Sequence, residues 1–224
     1  GGNRLLIDGQ VFRDGAVGVA IGGDVRVDAT VSQGCRPIGI PFVITRAKRH
    51  VVQELGGRKA LGVIQEMVEE LNEEDRELLR SGLLVGRVID EYKERFGRGD
   101  FLIRGVVGVD EDEGYIAIGD TQVRVGQTIQ FHVRDQRTAQ EDFSLLLSAQ
   151  NLYGPASGAL LFSCNGRGTQ LFDQPHTDAT MIHEALGDVP LAGIFAAGEI
   201  GPVGDQNFLH GQTASLLLFR PVED

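Results

Sequence analysis

The chain has 224 residues, with 21 basic and 32 acidic side chains and a formal net charge of −11 at neutral pH. A negative protein repels the phosphate backbone, so this charge argues against nucleic acid as a partner. Hydrophobic residues make up 42% and charged residues 24% of the sequence, which excludes a disordered chain. No apolar run approaches the roughly 20 residues that cross a bilayer, so we expect no membrane span.

The two cysteines, Cys35 and Cys164, lie far apart and belong to no CxxC or Cys/His pattern. Zinc cages and disulfide frameworks need such spacing, so the sequence predicts neither a metal site nor a disulfide, and no cofactor. The N-terminal segment shows no basic region followed by an apolar stretch. We therefore expect a cytoplasmic protein.

The first quarter of the chain is predicted to be mostly extended. Residues 14–31 are rich in Val, Ala and Ile on either side of the turn at 22–24, which predicts a β-hairpin. Residues 32–41 contain two glycines and two prolines, which predicts an irregular connection. Extended structure is predicted to resume over residues 42–55.

From Arg58 the pattern changes to a helical one. Apolar side chains recur at a spacing of three or four residues, at Leu61, Ile64, Met67, Val68 and Leu71. Asn72 is predicted to cap a second helix over residues 73–80, whose acidic first turn suits the positive end of the helix dipole. The sequence thus predicts two consecutive helices.

Short apolar segments separated by Gly and Asp clusters then predict a series of strands, at residues 83–89, 101–109, 114–119, 121–125 and 128–134. The acidic run at 110–114 resembles a metal loop at first sight. It lacks the ligand alternation and the terminal glutamate of a calcium-binding loop, which favours an exposed hairpin tip.

The last third of the chain alternates between helices and strands. Thr138 to Glu141 matches a capping box and predicts the start of a helix with an apolar face. Beyond it we predict strands over 159–163, 190–197 and 213–219 and a helix over 178–186. The whole pattern predicts an α+β fold with mixed, mainly antiparallel sheets and flanking helices, layered as helix–sheet–sheet–helix.

The first candidate site is the segment NGRG, residues 165–168, which follows an apolar run ending at Cys164. Its glycines let the backbone turn amides towards an anion, and Arg167 can hold a carboxylate or phosphate through two hydrogen bonds. The lysine and hydroxyl residue of a nucleotide-binding P-loop are missing. Three roles stay open for Cys164: a small buried side chain, a pocket wall, or a nucleophile with a base such as His210.

The second candidate site is the glycine-rich segment 196–213. Glu199 follows an apolar run and lies among glycines, so its carboxylate can be presented outside the sheet edge to bind a ligand amine. Neutral groups that fix the orientation of a small ligand follow at Asn207, His210 and Thr213. A well-capped surface turn explains the same residues without a ligand.

In this order along the chain, FLIRGVVGVDEDEGYIAIGD, GQTIQFHVRD, ALLFSCNGRG and GIFAAGEIGPVGDQNFLHGQTASLLLF resemble the C-terminal half of the FIST domain, named for F-box and intracellular signal transduction proteins. We therefore predict a C-terminal FIST domain at 45–224, and the end of an N-terminal FIST half at 1–44. Gln212 departs from the aromatic residue that the family pattern has there. The matching positions are Cys164, Asn165, Gly166, Arg167, Gly198, Glu199, Gly201, Pro202, Asn207, His210 and Thr213.

The resemblance implies a sensory input module that binds a small molecule, such as an amino acid or a related metabolite. Its partner would be a signalling output protein or domain on another chain. The predicted ligand-binding residues are the matching positions except Gly201 and Pro202, with Arg167 holding a carboxylate and Glu199 an amine. Two other classes stay open: a cysteine-dependent enzyme on a small acyl or amide substrate, and a protein-interaction platform, which requires an exposed apolar patch.

Overall fold

A computed structural model describes residues 4–222 of the chain. The described helices are α1 (Ala60–Glu70), α2 (Glu73–Leu78), α3 (Gln136–Gln150) and α4 (Thr177–Leu186). The described strands are β1 (Leu5–Ile7), β2 (Gln10–Phe12), β3 (Val25–Ser32), β4 (Arg36–Lys48), β5 (Val51–Leu55), β6 (Arg58–Lys59), β7 (Leu84–Val88), β8 (Phe101–Asp110), β9 (Tyr115–Ile118), β10 (Thr128–Val133), β11 (Gly158–Cys164), β12 (Leu191–Ala196), β13 (Glu199–Val203), β14 (Gln206–His210) and β15 (Ala214–Pro221).

The largest sheet closes on itself. Its strands pair in the order β4-β10-β7-β8-β9-β5, β5 pairs back with β4, and β6 extends from β5. α1 packs against this barrel-like sheet, where its Val63, Ile64 and Met67 share a core with strand residues such as Ile116 and Phe131. This half of the molecule therefore has a hydrophobic core of its own.

The second large sheet has the order β12-β11-β15-β3 and is covered on one face by α3 and α4. Leu161 of β11 and Leu216 of β15 share a core there with Phe143 of α3 and Ile182 of α4. β11 and β12 are parallel, whereas the other strand pairs of the described residues are antiparallel. The predicted α+β class with mainly antiparallel sheets is confirmed.

The hairpin of β13 and β14 packs on the second large sheet at β3 and β15. A Cβ atom on Gly201 of β13 would lie only 2.2 Å from Cγ2 of Val31, so this glycine is required for close approach of the hairpin to β3. The Ser215 hydroxyl of β15 donates a hydrogen bond to the Ile200 carbonyl at 3.1 Å. The hairpin is part of the second candidate segment, 196–213. These contacts therefore hold that segment against the sheet whose strand β11 leads into the first candidate segment, 165–168.

Two expectations for residues 14–41 are wrong. Only the end of the predicted hairpin is a strand, because β3 pairs with β15 while residues 13–24 form no strand and leave Val19 and Ile21 exposed. The predicted connection at 32–41 is largely strand, since β4 begins at Arg36. Its register against β10 shifts between Ile38 and Phe42, which keeps Pro41 out of the ladder.

Of the two helix starts predicted from capping residues, one agrees with the structure and one does not. Asn72 caps α2 as predicted, with its side chain accepting a hydrogen bond from the Asp75 amide at 2.8 Å. The capping box at Thr138 is wrong: α3 begins earlier, and the Asp135 carboxylate accepts a hydrogen bond from the Thr138 amide at 2.5 Å.

The predicted strand at 121–125 is a turn region, whereas the acidic run at 110–114 forms the predicted hairpin tip.

No helix within residues 4–222 combines the length and apolar character needed to cross a bilayer.

Candidate functional site

The two candidate segments lie in contact at the ends of β11, β12 and β15. The Cys164 amide donates to the Thr213 carbonyl at 2.9 Å, and the Asn165 amide donates to the Ala196 carbonyl at 2.7 Å. A Cβ atom on Gly166 would lie 3.1 Å from Cγ of Gln212. Backbone pairing and a small residue thus bring NGRG against the segment 196–213.

Arg167 is 1% exposed and its charge is matched inside the protein. Its Nε donates to Oδ2 of Asp178 at 2.9 Å, and its Nη2 donates to Oδ1 at 2.7 Å. The Ser163 hydroxyl donates to the same carboxylate at 2.8 Å, and the guanidinium lies 5.2 Å from the centre of the Phe172 ring. This bidentate ion pair ties the NGRG loop to the first turn of α4.

Glu199 lies in a strand, at the start of β13, and is 2% exposed. Its Oε2 accepts hydrogen bonds from the Thr213 hydroxyl at 2.9 Å and from the Thr213 amide at 3.3 Å. Its Oε1 is buried and has no partner among the described residues. The carboxylate therefore links the hairpin to the start of β15.

His210 faces Glu199 across the hairpin pairing and is 4% exposed. Its Nε2 lies 2.9 Å from the Gly201 carbonyl oxygen, which can only accept, so Nε2 carries the proton and Nδ1 is a free acceptor. Burial, together with the charge of Arg104, holds the pKa of His210 below its ordinary value despite Glu199. The ring is therefore neutral at physiological pH.

The other predicted residues take secondary positions. Asn165 and Asn207 are exposed, and Gly198 lies against Leu209. Cys164 is buried, and no hydrogen bond joins its thiol to His210 in the described part of the chain. The described residues also contain no group of three or more His, Cys, Asp or Glu side chains that could hold a metal ion.

A cavity of about 530 Å³ lies between the hairpin and the barrel-like sheet, and we call it the main cavity. A second cavity of about 310 Å³, the side cavity, shares Leu84, Arg134 and Gln212 with it. Of the predicted ligand-binding residues, His210 lines the main cavity and Gly166 lines the side cavity. The main cavity is lined by Leu84, Ile103, Arg104, Gly105, Gly119, Asp120, Thr121, Arg134, Leu209, His210, Gly211 and Gln212.

Arg134 directly follows β10 and lines both cavities. Its Nη2 donates to the Gln33 carbonyl at 2.7 Å and its Nε donates to the Gly34 carbonyl at 3.3 Å, while Nη1 is buried without a partner. No carboxylate among the described residues lies within ion-pair distance of it. Burial, in the first place, lowers the pKa of Arg134 from its usual value.

Arg104 is the second cation of the main cavity, and it lies in the middle of β8. Its Nη1 donates to the Ile103 carbonyl at 3.0 Å, and burial lowers its pKa. The cavity's one acidic residue, Asp120, pairs instead with Nε of Arg87 at 2.8 Å and accepts from the Gln122 amide at 2.8 Å.

Four buried side-chain polar atoms of residues 4–222 have no hydrogen-bond partner, and all belong to this region. Buried polar groups are nearly always paired in folded proteins, so a cluster of unpaired ones is typical of a site that a ligand or water completes. The four atoms are Nη1 of Arg134, Nη1 of Arg167, Oε1 of Glu199 and Nδ1 of His210.

The sequence analysis missed both cavity arginines. An arginine inside the apolar run FLIRGVVGV was a usable signal, because a charge in a buried strand needs a reason. The sequence signal at Arg134 was weaker: this residue follows a strand and precedes the residue that caps α3. Arg167, which lies between two glycines, was predicted to be the carboxylate-binding arginine instead.

Comparisons with known proteins agree on one family. The FIST N domain matches residues 1–58 and the FIST C domain matches residues 60–202, while the predicted boundary at 44/45 stays a prediction. An uncharacterized protein of Mycobacterium bovis is 49% identical over 221 residues, and two uncharacterized proteins of Mycobacterium tuberculosis are 49% and 48% identical. Each alignment covers 98% of this chain but 57% of the relative, so the chain spans little more than half the length of these relatives. Because the FIST C match alone covers more than half of the sequence, including both cavity arginines, the chain belongs to the FIST family.

Proposed function

We propose that this chain is a small-molecule-binding sensory module whose ligand carries a carboxylate bound by Arg134 in the main cavity. FIST domains are generally sensory domains of signal transduction, and the curated relatives are uncharacterized. The observation that carries the proposal is Arg134, a half-buried residue that lines a cavity of about 530 Å³ and whose Nη1 is buried without a hydrogen-bond partner among the described residues.

The electrostatics of the site support an anionic ligand. A desolvated charge without an ion-pair partner is unfavourable, and Arg134 donates hydrogen bonds to two backbone carbonyls while Asp142 acts on it only at longer range. This arrangement occurs in a chain with a net charge of −11, yet no carboxylate of residues 4–222 forms an ion pair with Arg134. A ligand carboxylate would supply charge-assisted hydrogen bonds that the folded protein leaves unmade.

The residues predicted from sequence keep a place in this proposal. Gly166 and His210 contribute to the cavity walls, while Arg167 and Glu199 hold the surrounding loops through Asp178 and Thr213. Direct ligand contacts by Arg167 and Glu199 stay predictions, as does the pocket-wall role of Cys164. An amino acid or related metabolite falls within the proposed class of ligand.

Titration calorimetry with a panel of amino, oxo, hydroxy and dicarboxylic acids tests the proposal. We expect at least one acid to bind and to raise the melting temperature, since a ligand of the folded state stabilises it by RT ln(1 + [L]/Kd). Arg134→Gln should abolish both effects. Arg124→Gln, which removes an exposed arginine of the 121–127 turn, is the matched control and should leave both unchanged. Binding that survives Arg134→Gln, or no binding by any acid, would contradict the proposal.

The output partner and the location belong to the same proposal. We propose that the ligand signal passes to an output protein or domain on another chain, as the family resemblance implies. Cys35 and Cys164 are both buried and neither forms a disulfide in the described part of the chain, which supports a reducing compartment such as the cytoplasm. Comparing the proteins captured by the chain with and without its ligand tests the first part, because a sensor should change its partner affinity on binding.

A further inference from the structure

We propose that the ligand of the main cavity is a compact dicarboxylate carrying a neutral hydrogen-bond donor such as a hydroxyl group, and not a zwitterionic amino acid. This inference rests on the proposed function, because it assigns the chemical class of the ligand in the same cavity. It follows from three properties of the cavity wall: the number of cations, the state of its one carboxylate, and the free nitrogen of His210.

The number of cations favours two anionic groups. Arg104 and Arg134 both line the main cavity, and neither has a carboxylate within ion-pair distance among the described residues. Each guanidinium is held by backbone carbonyl oxygens, which satisfy donors but do not neutralise a full charge. Asp120 attracts Arg104 at longer range, but it is already the ion-pair partner of Arg87. Three guanidinium groups and one carboxylate leave two positive charges, which a dicarboxylate matches and a single carboxylate does not.

The acidic residue of the cavity wall disfavours a ligand ammonium group. An ammonium ion in a confined site needs a carboxylate to balance the loss of its hydration. Asp120 is the acidic residue of the main cavity, and both of its oxygens already accept hydrogen bonds, from Arg87 and from the Gln122 amide. Glu199 has a free oxygen but does not line this cavity. An amino acid would therefore place its ammonium beside two guanidinium groups without a counter-charge.

His210 indicates what the ligand offers besides its carboxylates. Its Nε2–H donates to the Gly201 carbonyl, so its Nδ1 is an acceptor that needs a donor. A hydroxyl group supplies that donor without adding charge. Burial in the first place, and the charge of Arg104 in addition, lower the pKa of His210, and the same two conditions disfavour a cationic donor at this place. In a hydroxy dicarboxylate the hydroxyl would pair with His210, and the two carboxylates would pair with Arg104 and Arg134.

Three acids with the same four-carbon skeleton test this inference by calorimetry on the 224-residue chain. L-Malate has two carboxylates and a hydroxyl, succinate lacks the hydroxyl, and L-aspartate has an ammonium in its place. We expect malate to bind about fivefold tighter than succinate, as one net hydrogen bond contributes about 1 kcal/mol. Aspartate should bind at least about tenfold weaker than malate.

The role of Arg104 needs a monocarboxylate for comparison. The wild-type protein should bind succinate at least about tenfold tighter than butyrate, which has one carboxylate on the same chain length. Arg104→Gln should reduce succinate binding to the level of butyrate. Arg104→Lys keeps the charge and should retain part of the preference, so a folding defect in the glutamine variant does not leave the question open. Circular dichroism and the melting temperature of the ligand-free variants check their folding.

The outcomes separate this inference from the proposed function. Aspartate binding as tightly as malate, or equal binding of succinate and butyrate, would overturn the dicarboxylate assignment. The proposed function survives that result as long as Arg134→Gln abolishes binding. If none of the four acids binds, the dicarboxylate assignment fails, and the wider acid panel decides whether the proposed function fails with it.

Discussion

Two arginines approach Gly34, the buried Arg167 and the half-buried Arg134, and their charges are balanced differently. A Cβ atom on Gly34 would lie 3.0 Å from Nη1 of Arg167, while the Gly34 carbonyl accepts a hydrogen bond from Nε of Arg134 at 3.3 Å. Arg167 has a bidentate carboxylate partner in Asp178. Arg134 has only carbonyl partners and borders two cavities. Folding completes the electrostatics of one arginine and leaves the other to be completed by a ligand.

This difference shows how a structural arginine and a ligand-binding arginine can be told apart. Both side chains keep a buried, unpaired Nη1, so an unsatisfied donor does not distinguish the two roles. The counter-charge does, because breaking a buried ion pair costs much more than altering a charge that never had a partner. Stability measurements on variants therefore test the comparison directly.

The largest effect is expected from Asp178→Ala. This change removes both oxygens that accept from Arg167, one of which also accepts from Ser163, and it leaves an uncompensated buried cation. We expect the free energy of unfolding to fall by about 3–5 kcal/mol in a urea titration. Asp188→Ala, an exposed acidic residue after α4, should change it by less than about 0.5 kcal/mol. A loss below about 1 kcal/mol for Asp178→Ala would mean that Arg167 is not a structural arginine.

A histidine near Arg134 differs from both arginines, because burial keeps its side chain neutral. His132, two residues before Arg134, is 1% exposed, and burial lowers its pKa from 6.5 to about 4. The folded state thus favours the neutral ring. The contribution of His132 to the free energy of unfolding is therefore complete above the pKa of the unfolded state. It should be lost as pH falls from about 6.5 towards 4, by up to about 3 kcal/mol.

Urea titrations across this pH range measure the effect. His132→Phe keeps a ring in the space beside Phe101 but cannot titrate, so it should flatten the pH dependence of stability. His50→Asn, which removes an exposed histidine, should keep the wild-type profile. Equal slopes for the wild-type protein and His132→Phe would show that the pH dependence has another source.

Local patterns predicted the parts of the fold that depend on local interactions. The helical spacing from Leu61 gave α1, and Asn72 gave the start of α2, because both depend on residues within one or two turns. The pairing of β5 with β4 and the pairing of β3 with β15 depend on which strands meet in space. No short stretch of sequence contains that information, so the closed sheet was not foreseen and the hairpin at 14–31 was placed wrongly.

The same limit explains what the sequence revealed of the site. Glycines and polar residues indicated 165–168 and 196–213 as candidate segments, and the two segments lie in contact. The role of an arginine depends on its counter-charge, however, and the partner of Arg167 lies eleven residues further along on a helix. Arg104 lies in β8 and Arg134 follows β10, so the two share a cavity only after the sheet has closed.

The smallest effect on stability, and the sharpest test of the comparison, is expected from Arg134→Met. The change removes hydrogen bonds to the Gln33 and Gly34 carbonyls, but it also removes a buried cation that has no counter-charge. Because these two contributions oppose each other, we expect the ligand-free protein to stay within about 1 kcal/mol of the wild-type free energy of unfolding. Ligand-dependent stabilisation should disappear. Arg167→Met is the matched variant, and it should cost about 3–5 kcal/mol because it leaves Asp178 as an unpaired buried carboxylate. If the two methionine variants lose the same stability, Arg134 is also part of the structural framework, and the cavity must bind its ligand through Arg104 and His210.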